Sequence, residues 1–158
     1  MARINKKMDI RIIGETGENI FISLINQKGT FCTSFDTESL DAIAFQEINE
    51  NQFFKGNYTT VYAQIKVRGS KTNAYNSQGH DITYIEKIKE FAREILKIEI
   101  EQLYFVVGFF KNNSIIDISY YIIPFGEALE SFKGDKQYRF SYKSCEEKLK
   151  VFSNIVKL

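Results

Sequence analysis

Four side chains sit where the surrounding pattern calls for apolar ones. On a stretch whose apolar residues step about 100° apart, Glu18 falls within the arc of Phe21, Ile22 and Ile25, so its carboxylate points inward; Glu15 lies at the edge of that arc. An inward carboxylate needs a cation or a strong donor. The plainer alternative is a first-turn Glu meeting the helix dipole. Asp41 enters the otherwise apolar run Leu40-Asp41-Ala42-Ile43-Ala44-Phe45, where a turn residue at a strand entrance is the competing explanation. Along Val61-Tyr62-Ala63-Gln64-Ile65-Lys66-Val67, alternation puts Gln64 and Lys66 on one face and Ile65 and Val67 on the other. An amide beside an ammonium on a central strand is not explained by packing, although a solvated edge would also accept the pair.

These residues need elements to position them. Ile20, Phe21, Leu24 and Ile25 predict a helix between Gly14 and Gly29, with Gly29 as its stop. Extended stretches are expected at Phe31 to Phe35, Leu40 to Gln46 and Tyr58 to Val67, with the Asn-rich segment from Asn49 to Asn57 as a hairpin connection. The polar segment from Arg68 to Gly79 reads as a loop that ends at Asp81, a helix N-cap, with His80 on the way into that cap. Ile85, Ile88, Phe91, Ala92 and Ile95 then give a second amphipathic helix, from Tyr84 on. Leu103 to Phe110 and Ser114 to Ile123 read as central strands buried on both faces, joined by a turn at Lys111-Asn112-Asn113. Pro124 leads into a short helix through Leu129, Gln137 to Tyr142 is a peripheral strand, and Cys145, Leu149, Phe152 and Val156 mark a last helix. Helices on both faces of such a sheet predict an α/β fold, a three-layer αβα sandwich around a mixed β-sheet.

The chain has 158 residues and is 44% hydrophobic, the size of one domain, taken as 1–158. Twenty-one Lys and Arg against 20 Asp and Glu leave a net charge of +1, so any nucleic-acid surface must be local rather than global. Fourteen Phe and nine Tyr, with a single Pro, exclude a disordered or collagen-like chain. Cys32 and Cys145 are too few for a disulfide framework and suit a reducing compartment. The longest apolar run, Leu103 to Phe110, is far short of the roughly 20 residues of a membrane span. With no apolar leader behind Met1 to Lys7, the expectation is a cytoplasmic protein with no membrane partner. His80 is the only histidine, so histidine-based catalysis or a multi-histidine metal site would rest on it alone.

In order and spacing, Gly14-Glu15-Thr16-Gly17-Glu18, Leu40-Asp41-Ala42-Ile43-Ala44 and Gln64-Ile65-Lys66 resemble the PD-(D/E)xK nuclease superfamily, whose restriction-endonuclease-like fold includes archaeal Holliday-junction resolvases. The resemblance spans roughly the first two-thirds of the chain, and the helix and strand order matches that fold's αβββαβ core. The 23 positions from Asp41 to Gln64 suit a hairpin that brings the two together. The resemblance implies a metal-dependent nuclease hydrolysing phosphodiester bonds in DNA, in a defence, repair or mobile-element system, with Mg²⁺ or Mn²⁺ as cofactor. It makes Asp41 the anionic ligand, Gln64 and the Ile65 backbone oxygen further ligands, and Glu18 a ligand through water. Lys66 would orient the attacking water and stabilise phosphate charge. Leu40 replaces the motif's Pro, a tolerated change, while Gln64 replaces its usual Asp or Glu and removes a charge. That loss keeps open an alternative, a catalytically inactive module of the same fold that binds nucleic acid or a partner protein.

Lys55, Arg68 and Lys71 are the expected nucleic-acid-binding residues. Lys87, Lys89, Arg93 and Lys97 alternate with Glu86, Glu90 and Glu94 and read as a solvated, self-paired helix face. A homodimer is expected from the apolar strand containing Tyr120 and Tyr121 together with the last helix. So small a chain would also leave target recognition to a partner protein.

Overall fold

The computed structural model describes residues 2–158 except 115 and 116, with side chains from residue 12 onward. Helix α1 (Ala2–Gln27) is followed by strands β1 (Phe31–Ser34), β2 (Ala42–Phe45), β3 (Thr60–Arg68) and β4 (Gln78–Asp81). Helix α2 (Ile82–Phe91) runs into a π turn at Ala92–Leu96 and a 3-10 turn at Ile100–Gln102. Then come β5 (Leu103–Phe109), β6 (Ser119–Pro124), α3 (Phe125–Ser131), β7 (Gln137–Phe140), α4 (Tyr142–Val151) and β8 (Val156–Lys157).

The main sheet has the order β1-β2-β3-β5-β6-β8. Only the β3–β5 pairing is parallel, and the crossover that a parallel pair needs runs through α2. The other pairings, β1–β2, β2–β3, β5–β6 and β6–β8, are antiparallel. Every residue of β5 is buried. Helix α1 covers one face, where Phe21 and Ile25 meet Ala44, Ala63, Ile65 and Val106. Helices α2, α3 and α4 cover the other, packing Ile85, Ile88, Ala128 and Cys145 against Phe105, Val107 and Ile123. The result is the expected three-layer sandwich around a mixed sheet.

Several local expectations change. The first helix begins at Ala2 rather than near Gly14; a mid-helix glycine costs about 1 kcal/mol, too little to end a helix whose later turns pack Phe21 and Ile25 on the sheet. Gly17 is needed there for another reason. A Cβ on it would lie 2.5 Å from Val67 Cγ2, so its bare backbone lets α1 rest on the end of β3. The loop expected around His80 contains β4, which pairs with β7 as a second, two-stranded sheet. Asp81 does occupy the N-cap position of α2, but its side chain makes no capping bond there and instead accepts a bond from Gln137 Nε2. The last helix stops at Val151, and Val156 belongs to β8, held to β6 by the Leu158 N–H bonded to the Tyr120 carbonyl. The strand expected from Ser114 starts at Ser119, and its residues 115 and 116 lie outside the described ones.

Tyr120 and Tyr121 are fully buried within the domain. Tyr120 donates to the Gly17 carbonyl across the α1 face, and Tyr121 donates to Glu146 on α4. The β6 part of the surface from which a homodimer is expected is therefore interior, whereas α4 fully buries only Cys145 and leaves Val151 exposed. At the opposite edge, Asn26 at the end of α1 clamps β1: its Oδ1 accepts from the Cys32 N–H at 3.1 Å, and its Nδ2 donates to the Cys32 carbonyl at 2.6 Å.

Candidate active site

The site forms where β2 stops following β3. Their ladder ends with Ala42 opposite Ala63, and the Asp41 N–H adds one more bond to the Ala63 carbonyl at 2.9 Å. Beyond it the β3 edge has no strand neighbour, and the Asp41 carboxylate takes the place of one. Asp41 Oδ2 accepts from the Ile65 N–H at 2.7 Å and from Gln64 Nε2 at 2.8 Å. Because the N–H and C=O of one strand residue project to the same side, the Ile65 carbonyl also faces this open edge. A hairpin turn fixes the approach of Asp41: Thr37 Oγ1 accepts from the Leu40 N–H at 2.9 Å, and the Phe35 N–H bonds to the Asp41 carbonyl at 2.8 Å.

Gln64 is 3% exposed, and with Nε2 committed to Asp41 its Oε1 has no hydrogen-bond partner among the described residues. Leaving a buried amide oxygen unpaired costs about 1–3 kcal/mol. Glu18, half-buried on α1, lies close enough to feel both neighbours: burial and then repulsion from Asp41 push its carboxyl up to about 7, with Lys66 pulling the other way. Asp41 is also raised, by burial first, against the opposing Ile65 hydrogen bond and the Lys66 charge. Lys66 leaves β3 on the Gln64 face and holds its ammonium 5.2 Å from the centre of the Tyr84 ring, a cation–π contact at the start of α2.

The structure thus brings Glu18, Asp41, Gln64, Ile65 and Lys66 together. Arg68 closes β3 two residues past Lys66, and Lys71 follows in the exposed loop. Lys55 stands apart. It lies in the connection entering β3, where its Nζ donates to the Glu50 carbonyl and its own carbonyl accepts from Tyr104. On α2 and its π turn, Glu86, Lys87, Glu90, Arg93 and Glu94 are exposed, and Arg93 pairs with Glu94 at 3.0 Å.

Three neighbours were not singled out in the sequence. Asp36, in the β1–β2 turn, adds negative potential at both Glu18 and Asp41; its place five residues before Asp41, across a hairpin turn, was the available signal. Tyr84 read only as the beginning of a helix. Gln78 is almost completely buried, and its Nε2 donates to the carbonyls of Lys66 and Gly108 on adjacent strands. Beside it, His80 is packed against Phe105 and Phe140 and is bonded through Nε2 to Gln78 Oε1. Burial, then the charges of Lys66 and Arg68, push His80 down to about 4, so it is neutral near pH 7.

The donor set suits a hard cation: one oriented carboxylate, a buried amide oxygen lacking a donor, a strand carbonyl and a second carboxylate across the gap. Among the described residues no three His, Cys, Asp or Glu gather as a metal cluster, so a cation here depends on the neutral oxygens of Gln64 and Ile65.

No family model and no curated protein matches the sequence. Among solved structures, the chain is similar to Archaeoglobus fulgidus Hjc, a Holliday junction resolvase from an archaeal hyperthermophile. The match has a TM-score of 0.53 at 12% identity and covers 85% of this chain and 88% of that one. The chain shares the fold of that structure. This is the restriction-endonuclease-like architecture expected from the sequence, and the open β3 edge with Asp41, Gln64 and Lys66 belongs to its sheet. No described helix is long and apolar enough to cross a membrane.

Proposed function

We propose that the chain is a metal-dependent nuclease acting on DNA, working at the open edge of β3. The observation that carries this reading is the Gln64 amide oxygen, buried and without a donor among the described residues, beside an oriented Asp41 carboxylate. Asp41, Gln64 Oε1 and the Ile65 carbonyl would hold Mg²⁺ or Mn²⁺, with Glu18 reached through water. A bound divalent ion supplies charge neutralisation at the phosphate and a lowered pKa for water.

The residues of the chain do the rest. The Ile65 N–H and Gln64 Nε2 fix the Asp41 carboxylate, so no orientation has to be found when phosphate arrives. Lys66, steadied over Tyr84, brings its ammonium to the charge that develops on the phosphate oxygens. Glu18, with its carboxyl near 7, can accept a proton from water and release it again near neutral pH. Arg68 and Lys71 continue the positive surface beyond Lys66 for the flanking phosphates. Residues 1–158 then act as one domain, with a second copy of the chain as the expected partner, joined through a surface other than the buried tyrosines of β6.

A second reading keeps one supporting fact. With Gln at position 64 and no cluster of three acids among the described residues, a module of the same fold that binds nucleic acid without cutting it would need no cation. Cleavage of DNA by the purified chain with Mg²⁺ or Mn²⁺ decides between them. Cutting that is lost in EDTA and in Asp41→Asn supports the enzyme; cutting that survives both rejects it.

A further inference from the structure

A cavity of about 390 Å³ opens at the end of β3, just past Lys66. Its floor is apolar, made by Val67 and Phe110, and Arg68, Lys71, Asn76 and Asn113 stand around its mouth. Gly69 is part of the wall because the Phe110 ring occupies the space a Cβ would need. The rim is built rather than loose: the Asn113 N–H bonds to the Ser70 carbonyl and the Asn112 N–H to the Thr72 carbonyl, both at 3.0 Å. Asn112 and Asn113 hold left-handed φ values of 58° and 55° to make that turn. Asn76 Nδ2 ties itself to the Gly69 carbonyl at 2.8 Å, which leaves its amide oxygen facing outward from that bond. Neither Arg68 nor Lys71 has an acidic partner among the described side chains.

Two unpaired cations, amide groups that can read a polar edge, and an apolar floor together match one ligand chemistry, a nucleotide. The volume is at the small end of ligand pockets, about 300–1,000 Å³, and is enough to take one base. Val67 also packs on Gly17, whose neighbour Glu18 reaches the candidate active site, so the cavity and the site share a wall.

We propose that this cavity takes one unpaired nucleotide of the strand whose phosphate lies at Asp41 and Lys66, so that the preferred substrate is DNA carrying an extrahelical or single-stranded nucleotide beside the scissile phosphate. The inference rests on the nuclease reading for its register with the site, but not for its test. Holding an unstacked base against apolar side chains adds about tenfold in affinity.

The experiment uses the full chain in EDTA and fluorescence anisotropy, with a labelled perfect duplex and the same duplex carrying a single-nucleotide bulge. The wild type should bind the bulged duplex about tenfold more tightly. Thr72→Trp, which fills the cavity from its exposed rim, should bring that ratio close to one while leaving perfect-duplex affinity within about twofold. Lys71→Trp fills it from another side and serves if the first variant melts early; only its ratio is read, since its lost charge weakens both complexes. Equal wild-type affinities, or a ratio that survives in a folded cavity-filled variant, overturn the pocket. Cleavage of the perfect duplex with Mn²⁺, measured alongside, shows whether the nuclease reading stands when the pocket does not. Absence of binding to either DNA overturns the pocket, and the nuclease reading then stands or falls on the Mn²⁺ cleavage alone.

Discussion

Glu18 and Glu146 both leave a helix to meet an edge of the main sheet, and they find opposite surroundings. Glu146 is met by the Lys157 ammonium and the Tyr121 hydroxyl, and hydrogen bonding from these holds its carboxyl below the usual range. Tyr142 completes that corner by accepting from Lys157 at 3.2 Å and stacking on Tyr75 with ring centres 4.2 Å apart. Glu18 is burdened by desolvation and by the charge of Asp41, and Lys66 only partly compensates. Polar groups assembled for stability satisfy one another, as at Glu146. At Asp41, Gln64 and Glu18 the donors run out among the described residues and acceptors are left over, the imbalance on which the proposed cation site rests.

Removing the two kinds of carboxylate should separate them most clearly in activity. Asp41→Asn or Lys66→Ala should lower metal-dependent DNA cleavage by about 10²–10⁴-fold with the circular dichroism spectrum retained. Glu146→Gln should cut at the wild-type rate and lose stability instead. If Glu146→Gln also abolishes cutting while folded, the distinction drawn between the two corners is wrong.

Metal affinity sharpens the same contrast. Gln64→Glu adds a third carboxylate beside Asp41 and Glu18, and should tighten Mg²⁺ binding about tenfold by calorimetry, limited by competition from Lys66 in the metal-free protein. An unchanged affinity in this variant, together with no effect of Asp41→Asn, would mean that position 64 does not face a cation.

The pH dependence of stability should have opposite signs at the two sites. Glu18 has a folded value of about 7 against an ordinary 4.5, so between these values the native state holds more protons than the unfolded one. Its effect is therefore a loss of stability as pH rises through that window. Glu146 is lowered, so its contribution is present above the ordinary value and fades as pH falls. In metal-free buffer, Glu18→Gln should raise the melting temperature at pH 8 relative to pH 5 by about 2–4 °C, and Mg²⁺ should narrow that gain. Glu146→Gln should flatten the acid side. Identical pH profiles for the two variants would count against the assignment.

On cleavage, the smallest expected effect is at Tyr121. Tyr121→Phe keeps the ring in the core and the Glu146–Lys157 ion pair, and removes one hydrogen bond to a charged acceptor. A loss of about 1.5–3 kcal/mol is expected in urea unfolding, with cleavage unaffected.

The central residues were legible because period-two alternation is local: in Val61 to Val67 it puts Gln64 and Lys66 on one face whatever strand lies beside them. The inward tilt of Glu18 followed in the same way from helical spacing. Asp36 was not legible, because its approach depends on the turn closed by Thr37 and not on any pattern of its own. Nor was β4: Gln78-Gly79-His80-Asp81 has no apolar alternation, and its partner β7 lies far along the chain. The end of the chain misled for another reason. Phe152 and Val156 keep a helical interval after Leu149, yet α4 stops at Val151 and the last residues return as a strand against β6.

The Asn26 clamp on Cys32 has a consequence for how the molecule behaves at high concentration. A four-residue outer strand with its peptide groups bare is a template on which another chain can add itself, and repeated addition leads to filaments. Asn26 spends both ends of its amide on the outward N–H and C=O of Cys32, so the edge is closed by a side chain at its middle. The exposed pair Phe31 and Phe45, with ring centres 5.8 Å apart, sits on that same hairpin. One amide thus keeps a sticky margin from becoming a growing end, and protects the sheet against propagation into neighbouring molecules.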